Sequence, residues 1–105
     1  MTGIERIAAE RKRQIEVEGW TLERDAEEYL FGELSGAGTA YADFASRQIG
    51  TGRSAGHPMN NLWRLSRDWW KPSPDPIRNL EKAGALIAAE IDRLLAEREE
   101  ARNEQ

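Results

Sequence analysis

The 105-residue sequence contains no cysteine, only one histidine and no long hydrophobic run. Without cysteine the chain has neither disulfides nor thiolate ligands, so metal sites of the Cys/His kind are excluded. No stretch approaches the roughly 20 apolar residues that a membrane-spanning helix needs. The first 19 residues are charged throughout and do not resemble a secretory signal. We therefore expect a cytoplasmic protein without a membrane partner.

An excess of one charge is also absent. The 15 basic and 19 acidic residues give a net charge of −4, and the two signs are interleaved, as they are from Glu97 to Arg102. Direct binding to nucleic acid is not expected, because it requires a basic surface. With 39% hydrophobic and 32% charged residues, the composition favours a helical protein that completes its burial by self-association.

Three segments show the apolar periodicity of α-helices. We predict an all-α fold that forms a single domain over residues 1–105, with three principal helices and a bundle completed by oligomerisation. The third helix is long and serves as the spine on which the other two pack. The predicted helices cover about residues 3–18, 25–46 and 75–102.

Short sequence motifs predict where two of these helices begin or end. Thr2 followed by Glu5 makes a capping box at the first helix, and Gly19 supplies its stop. Asp75 is a good N-cap for the third helix, and Pro76 sits where a missing N–H costs nothing.

Glycine is concentrated in the second helix and in the segment that follows it. Gly32, Gly36 and Ala40 fall four residues apart, which favours a close helix crossing over a bound ligand or a helix break. Residues 47–61 contain glycines and a proline without periodicity, so we predict a flexible loop there. His57 lies in this loop with no nucleophile motif nearby, and we expect it to be solvated rather than catalytic.

An apolar row runs along the third helix. Its members are spaced 3, 4, 3, 4 and 3 residues apart, so they share one helix face. We expect that a single copy of the chain cannot cover this row, which predicts a homo-oligomer. The row consists of Ile77, Leu80, Gly84, Ile87, Ile91 and Leu94.

The four tryptophans suggest either core packing or a ligand site. Because nucleotide bases stack on aromatic rings and phosphates pair with basic side chains, aromatic residues beside cations suit an anionic nucleotide. Two adjacent tryptophans cannot both point inward from one regular element, so one of Trp69 and Trp70 should face a ligand, a partner or solvent. The residues predicted to bind the ligand are Arg11, Trp20, Trp69, Trp70, Lys71 and Arg78.

An enzymatic alternative rests on carboxylates. All-α nucleotide pyrophosphohydrolases of the MazG type hold Mg²⁺ with acidic residues one helical turn apart. Here the late half of their motif is broken, because Glu90 is followed by Arg93 where an aspartate is needed. We therefore expect neither a cofactor nor catalytic or metal-binding residues. In the alternative, the Mg²⁺ ligands would be Glu16, Glu18, Asp25 and Glu28.

Three sequence blocks, which together cover a little over half of the chain, include Glu18-Gly19-Trp20-Thr21, Gly32-Glu33-Leu34, Trp69-Trp70-Lys71-Pro72 and Lys82-Ala83-Gly84-Ala85-Leu86-Ile87. These blocks resemble a small protein family that is widespread in bacteriophages and prophages. Where that family continues its first block with Glu-His-Asp-Asp, this chain has Glu23-Arg24-Asp25-Ala26, which removes a histidine and an aspartate from any metal site.

The resemblance implies a phage protein acting in the cytoplasm of an infected bacterium. Small helical phage proteins that are not structural often serve in counter-defence, so we expect a non-catalytic binding protein of this kind. One version sequesters a small anionic nucleotide signal of the host at a subunit boundary. The other blocks a host immune effector protein, such as a CRISPR or cyclic-nucleotide defence component, through an exposed surface.

Overall fold

The computed structural model describes residues 1–20, 29, 32–52 and 62–104, and within these ranges the chain is all-helical without strands. Helix α1 spans Gly3–Glu18, α2 spans Glu33–Thr51 and α3 spans Pro76–Asn103. A single 3-10 turn, Arg67–Trp69, precedes α3. None of the described helices is apolar over a length that would span a bilayer.

Helices α1 and α3 begin where the local signals predict. The Glu5 amide donates to Thr2 Oγ1 at 3.3 Å, and the Thr2 amide donates to Glu5 Oε1 at 3.1 Å, which completes the capping box. Gly19 ends α1 in the left-handed region, with φ of 73°. At α3, Asp75 accepts a 3.0 Å hydrogen bond from the amide of Ile77.

Helix α2 differs from the prediction at both ends. It starts at Glu33, because Gly32 has φ of 82° and is the N-cap instead of an interior helical residue. The predicted start near residue 25 lies outside the described residues. It continues to Thr51 through residues assigned to the loop 47–61, because Gln48 is buried and its amide donates to Ser73 O at 3.0 Å. Residues 53–61 of that loop, including His57, lie outside the described residues.

Small residues let α2 and α3 approach closely. A Cβ on Gly38 would lie 3.0 Å from Ala83 O and 3.0 Å from Ile87 Cγ1, so only glycine fits without a shift. The crossing is therefore at Gly38 rather than at the predicted Gly32 and Gly36, since a Cβ on Gly36 would lie 2.6 Å from Leu62 O instead of against α3. Both other helices pack on α3, which serves as the spine of the fold. The buried alanines of α2 and α3 are Ala37, Ala40, Ala45, Ala83, Ala85 and Ala89.

An aromatic cluster joins α2 to the segment that precedes α3. Tyr41 and Phe44 of α2 pack on Trp70, with ring centroids 4.6 and 5.6 Å apart, and Trp63 lies 5.1 Å from Trp70. The indole N–H of Trp63 donates to Ser66 O at 3.1 Å, so this buried polar group is satisfied.

Helix α1 packs on α3 through one apolar contact and several ion pairs. A Cβ on Gly84 would lie 2.6 Å from Ile7 Cδ1, which shows that Ile7 occupies the space above this glycine. The buried residues of α1 are polar, namely Glu10 and Gln14. The ion pairs that join the two helices are Arg6–Glu81, Glu10–Arg78 and Arg11–Asp92.

Candidate functional site

The row of apolar residues predicted on α3 is exposed in the folded chain. Its five large side chains are between 37% and 53% exposed, although they lie on the most central helix of the fold. We call this row the α3 apolar face, and it consists of Ile77, Leu80, Gly84, Ile87, Ile91 and Leu94. Helix α2 covers mainly the neighbouring side of α3, which carries Asn79, Ala83, Leu86 and Glu90. It also reaches Ile87 at the edge of the apolar face, through Gly38.

A small recess lies between the end of α1, the middle of α2 and the start of the Trp69–Lys71 segment. The rings of Trp20 and Trp69 form one wall, with centroids 5.6 Å apart. Its volume is about 20 Å³, enough for one water-sized group. The lining residues are Arg13, Gln14, Glu18, Trp20, Tyr41, Trp69, Lys71 and Lys82.

Local backbone geometry brings Trp20 into this recess. Because Gly19 is left-handed, the chain turns back at the end of α1 and the Trp20 amide donates to Gln14 O at 3.1 Å. The guanidinium of Arg11 then donates to Trp20 O at 3.0 Å. Together these bonds hold the indole against α1, where it is 4% exposed.

Tyr41 fixes the opposite side of the recess. Its hydroxyl accepts a 3.0 Å hydrogen bond from the Lys71 amide and donates to Trp69 O at 3.4 Å. Burial raises the pKa of Tyr41 above its ordinary value, so the phenol remains neutral at physiological pH. One side chain of α2 thereby positions both members of the Trp69–Lys71 pair that face the recess.

The structure brings together three of the six predicted ligand-binding residues. Trp20, Trp69 and Lys71 all line the recess. Arg11 is not one of the lining residues, but its guanidinium donates a hydrogen bond to the backbone oxygen of Trp20, which is. Trp70 belongs instead to the aromatic cluster with Tyr41 and Phe44.

Arg78, the sixth predicted residue, lies in a separate open groove of about 270 Å³ between α1 and α3. There it forms an ion pair with the buried carboxylate of Glu10 at 2.8 Å, and Arg13 forms a second ion pair with the same carboxylate at 2.5 Å. Burial raises the pKa of Glu10, but the hydrogen bonds from Arg13 and Arg78 outweigh it, and the pKa is lowered overall.

Sequence reasoning did not select Gln14, Tyr41 or Lys82 for the site. The partners of Tyr41 and Lys82 are distant in sequence, so no local signal identifies these two residues. The Lys82 ammonium donates to Lys71 O at 2.5 Å and lies 5.5 Å from the centre of the Tyr41 ring.

The residues of the alternative Mg²⁺ site are only partly described. Glu16 forms an exposed ion pair with Lys12 at 3.9 Å, and Glu18 pairs with Arg13 at 3.4 Å. The other two, Asp25 and Glu28, lie outside the described residues. Within residues 1–20, 29, 32–52 and 62–104, no three histidine, aspartate or glutamate side chains cluster as metal ligands.

The carboxylate of Glu90 is held by the residue that breaks the pyrophosphohydrolase pattern. Arg93 Nε lies 3.0 Å from Glu90 Oε2, and both side chains are buried. The hydroxyl of Ser35 donates to the other oxygen of Glu90 at 3.3 Å. The hydrogen bond to Glu90 raises the pKa of Arg93 above its ordinary value.

Compared with known proteins, the chain matches no family model, no curated protein and no solved structure.

Proposed function

We propose that the chain is a non-catalytic binding protein that acts as an assembly of identical copies joined along the α3 apolar face. The exposure of this face carries the proposal. Contiguous apolar surface on a folded protein commonly marks an interaction site. The stretch from Ile77 to Leu94 is about 26 Å long at 1.5 Å per residue, which suits the side of another helix.

A second copy of the chain fits this face because the spacing of its residues reads the same in both directions. In an antiparallel pair, Ile77 of one copy meets Leu94 of the other, and Leu80 meets Ile91. Gly84 meets Ile87, and Ile7, which packs on Gly84, adds the apolar bulk that the glycine lacks.

The charges at the ends of the face favour the same arrangement. No charged residue interrupts the row from Ile77 to Leu94, and its next position is Arg98. In the antiparallel pair, Arg98 of each copy reaches the end of α3 that carries Asp75 in the other copy. Opposite charges therefore meet at both ends, and the antiparallel helix dipoles attract each other.

The pairing of Glu90 with Arg93 supports a binding role over catalysis. A magnesium-dependent pyrophosphohydrolase needs free carboxylates one turn apart on its helices. In this chain Arg93 occupies the position of the second carboxylate, and its guanidinium pairs with the carboxylate of Glu90. The non-catalytic role predicts that the purified protein, supplied with Mg²⁺, releases no pyrophosphate from nucleoside triphosphates, and such release would favour the enzymatic alternative.

The biological setting comes from the sequence resemblance. We place the protein in phage counter-defence, where a symmetric assembly presents each of its binding surfaces at least twice. The recess beside Trp20 is too small for a whole nucleotide, since ligand pockets usually measure about 300 Å³ or more. A nucleotide signal would therefore lie across the mouth of the recess, and a host effector would meet the outer surface.

Light scattering on size-separated protein tests the assembly. We expect the unmodified chain to be a dimer and Ile91→Lys to be a monomer with unchanged helical circular dichroism. Ile49 is a matched control, because it is an exposed isoleucine on α2, away from the face. Ile49→Lys should therefore remain dimeric. A monomeric unmodified chain, or an Ile91→Lys dimer as stable as the control, would overturn the proposal.

A further inference from the structure

Two buried polar atoms at the recess have no hydrogen-bond partner among the described residues. They are the indole nitrogen Nε1 of Trp20 and the side-chain oxygen Oε1 of Gln14. The two residues are 4% and 2% exposed, and both line the recess. Leaving a buried donor or acceptor without a hydrogen bond is unfavourable, so a bound group that supplies partners to these atoms would be stabilised there.

The charges around the recess favour a negative partner. Of its charged lining residues, Arg13 pairs with Glu18 at 3.4 Å and with the buried Glu10 at 2.5 Å. The ammonium groups of Lys71 and Lys82 remain, the first lying 5.8 Å from the centre of the Trp69 ring. Burial lowers the pKa of Lys82, and repulsion from Arg78 adds to this effect.

We infer that the recess binds one oxygen of an oxyanion, a carboxylate or a phosphate, which accepts the indole N–H of Trp20 and pairs with Lys82 and Lys71. The volume of about 20 Å³ admits a single oxygen atom of this kind. The inference names the chemistry of a ligand for the proposed binding protein and in that sense rests on the proposed function.

The same geometry defines how the rest of such a ligand lies. A half-turn of the Gln14 carboxamide places its NH2 group, a donor, at the position of Oε1, and this group then donates to the bound oxygen. The body of the ligand stays outside, over the partly exposed ring of Trp69, where a planar group stacks favourably. A lone anion occupies only the recess, whereas an anion carrying an aromatic group uses both contacts.

Indole N–H signals in two-dimensional NMR spectra report directly on this site. Inorganic phosphate and acetate, added separately, should move the Trp20 signal downfield in a saturable way. Trp63 is the internal control, because its indole already donates to Ser66 O at 3.1 Å. Saturation with phosphate alone indicates a phosphate-bearing ligand, and saturation with acetate indicates a carboxylate.

Removing one ammonium tests the charge. Lys82→Met should weaken the binding of the anion about tenfold, the loss expected for one charge-assisted hydrogen bond of about 1.4 kcal/mol. Lys12→Met is the matched control, because Lys12 is an exposed lysine on the outer side of α1, and it should leave the affinity unchanged.

Two results would overturn the site: no saturable shift of Trp20 with either anion, or equal affinity in Lys82→Met and the unmodified chain. The mass of each sample, measured in parallel, separates this inference from the proposed assembly. A saturable Trp20 shift in a monomeric protein would preserve the site while removing the dimer.

Discussion

The side-chain amide of Asn79 donates a 2.8 Å hydrogen bond to the side-chain oxygen of Gln48, across the contact between α3 and α2. Asn79 is fully buried, and its other bonds go to the backbone of Ser73, one donated and one accepted at 2.8 Å. Gln48 also donates to Ser73 O. This network fixes the start of α3 and the end of α2 as one unit.

We expect Asn79→Ala to lower the free energy of unfolding by about 2–4 kcal/mol, because it removes three hydrogen bonds and leaves Gln48 and Ser73 with unmet polar groups. Urea unfolding followed by circular dichroism measures the change. Asn103→Ala, at the exposed end of α3, should shift the midpoint very little. Equal midpoints for the two variants would show that the network contributes nothing to stability.

Two glycines of α2 should respond in opposite ways to alanine. A Cβ at Gly36 would lie 2.6 Å from the backbone oxygen of Leu62, so Gly36→Ala forces the backbone apart and should cost about 1–3 kcal/mol. A Cβ at Gly50 meets nothing within 4 Å, so Gly50→Ala should gain up to about 1 kcal/mol in helix propensity.

Thermal unfolding of both glycine variants beside the unmodified chain gives the sign of each change. Both substitutions lie in the same helix and add the same methyl group, so helix propensity alone would stabilise both. A Gly36→Ala variant as stable as Gly50→Ala would contradict the close approach of Leu62.

The ion pairs of Glu10 predict a specific dependence on pH. Because its folded pKa lies below the ordinary value of 4.5, the unfolded chain binds a proton at a higher pH than the folded chain does. The stabilisation is fully present above about pH 4.5 and is lost as the pH falls through the folded pKa. Stability should therefore fall less steeply in Glu10→Gln than in the unmodified chain over this acid range.

Urea unfolding at a series of pH values from neutrality to about pH 3 measures that slope. Glu16→Gln, an exposed substitution on the same helix, serves as the control and should retain the slope of the unmodified chain. An unchanged slope in Glu10→Gln would show that the pairs with Arg13 and Arg78 do not stabilise the fold.

The sequence predicts those parts of the fold that depend on neighbouring residues. The ends of α1 and the start of α3 follow from Thr2, Glu5, Gly19 and Asp75, whose caps involve atoms within a few residues. The exposed row on α3 follows from helical spacing alone. An all-α fold without strands in the described residues agrees with the same periodicity.

The remaining features depend on residues that are far apart in sequence. Gly32 resembles an interior helical glycine in the sequence, and only its left-handed conformation shows that it begins α2. Glu10 and Arg93 are charged residues that the sequence places on the surface, yet both are buried because guanidinium or carboxylate partners meet them. The orphaned Trp20 indole likewise requires knowledge of the surrounding fold.

The attachment of α1 to α3 differs in kind from that of α2. Alanines and glycine join α2 to α3, whereas charged groups, several of them in contact with water, hold much of α1. Dissolved ions screen such pairs over about 10 Å at 0.1 M. At high salt concentration we therefore expect α1 to detach from α3 before α2 does. Trp20, which follows α1 in the chain, should move with it.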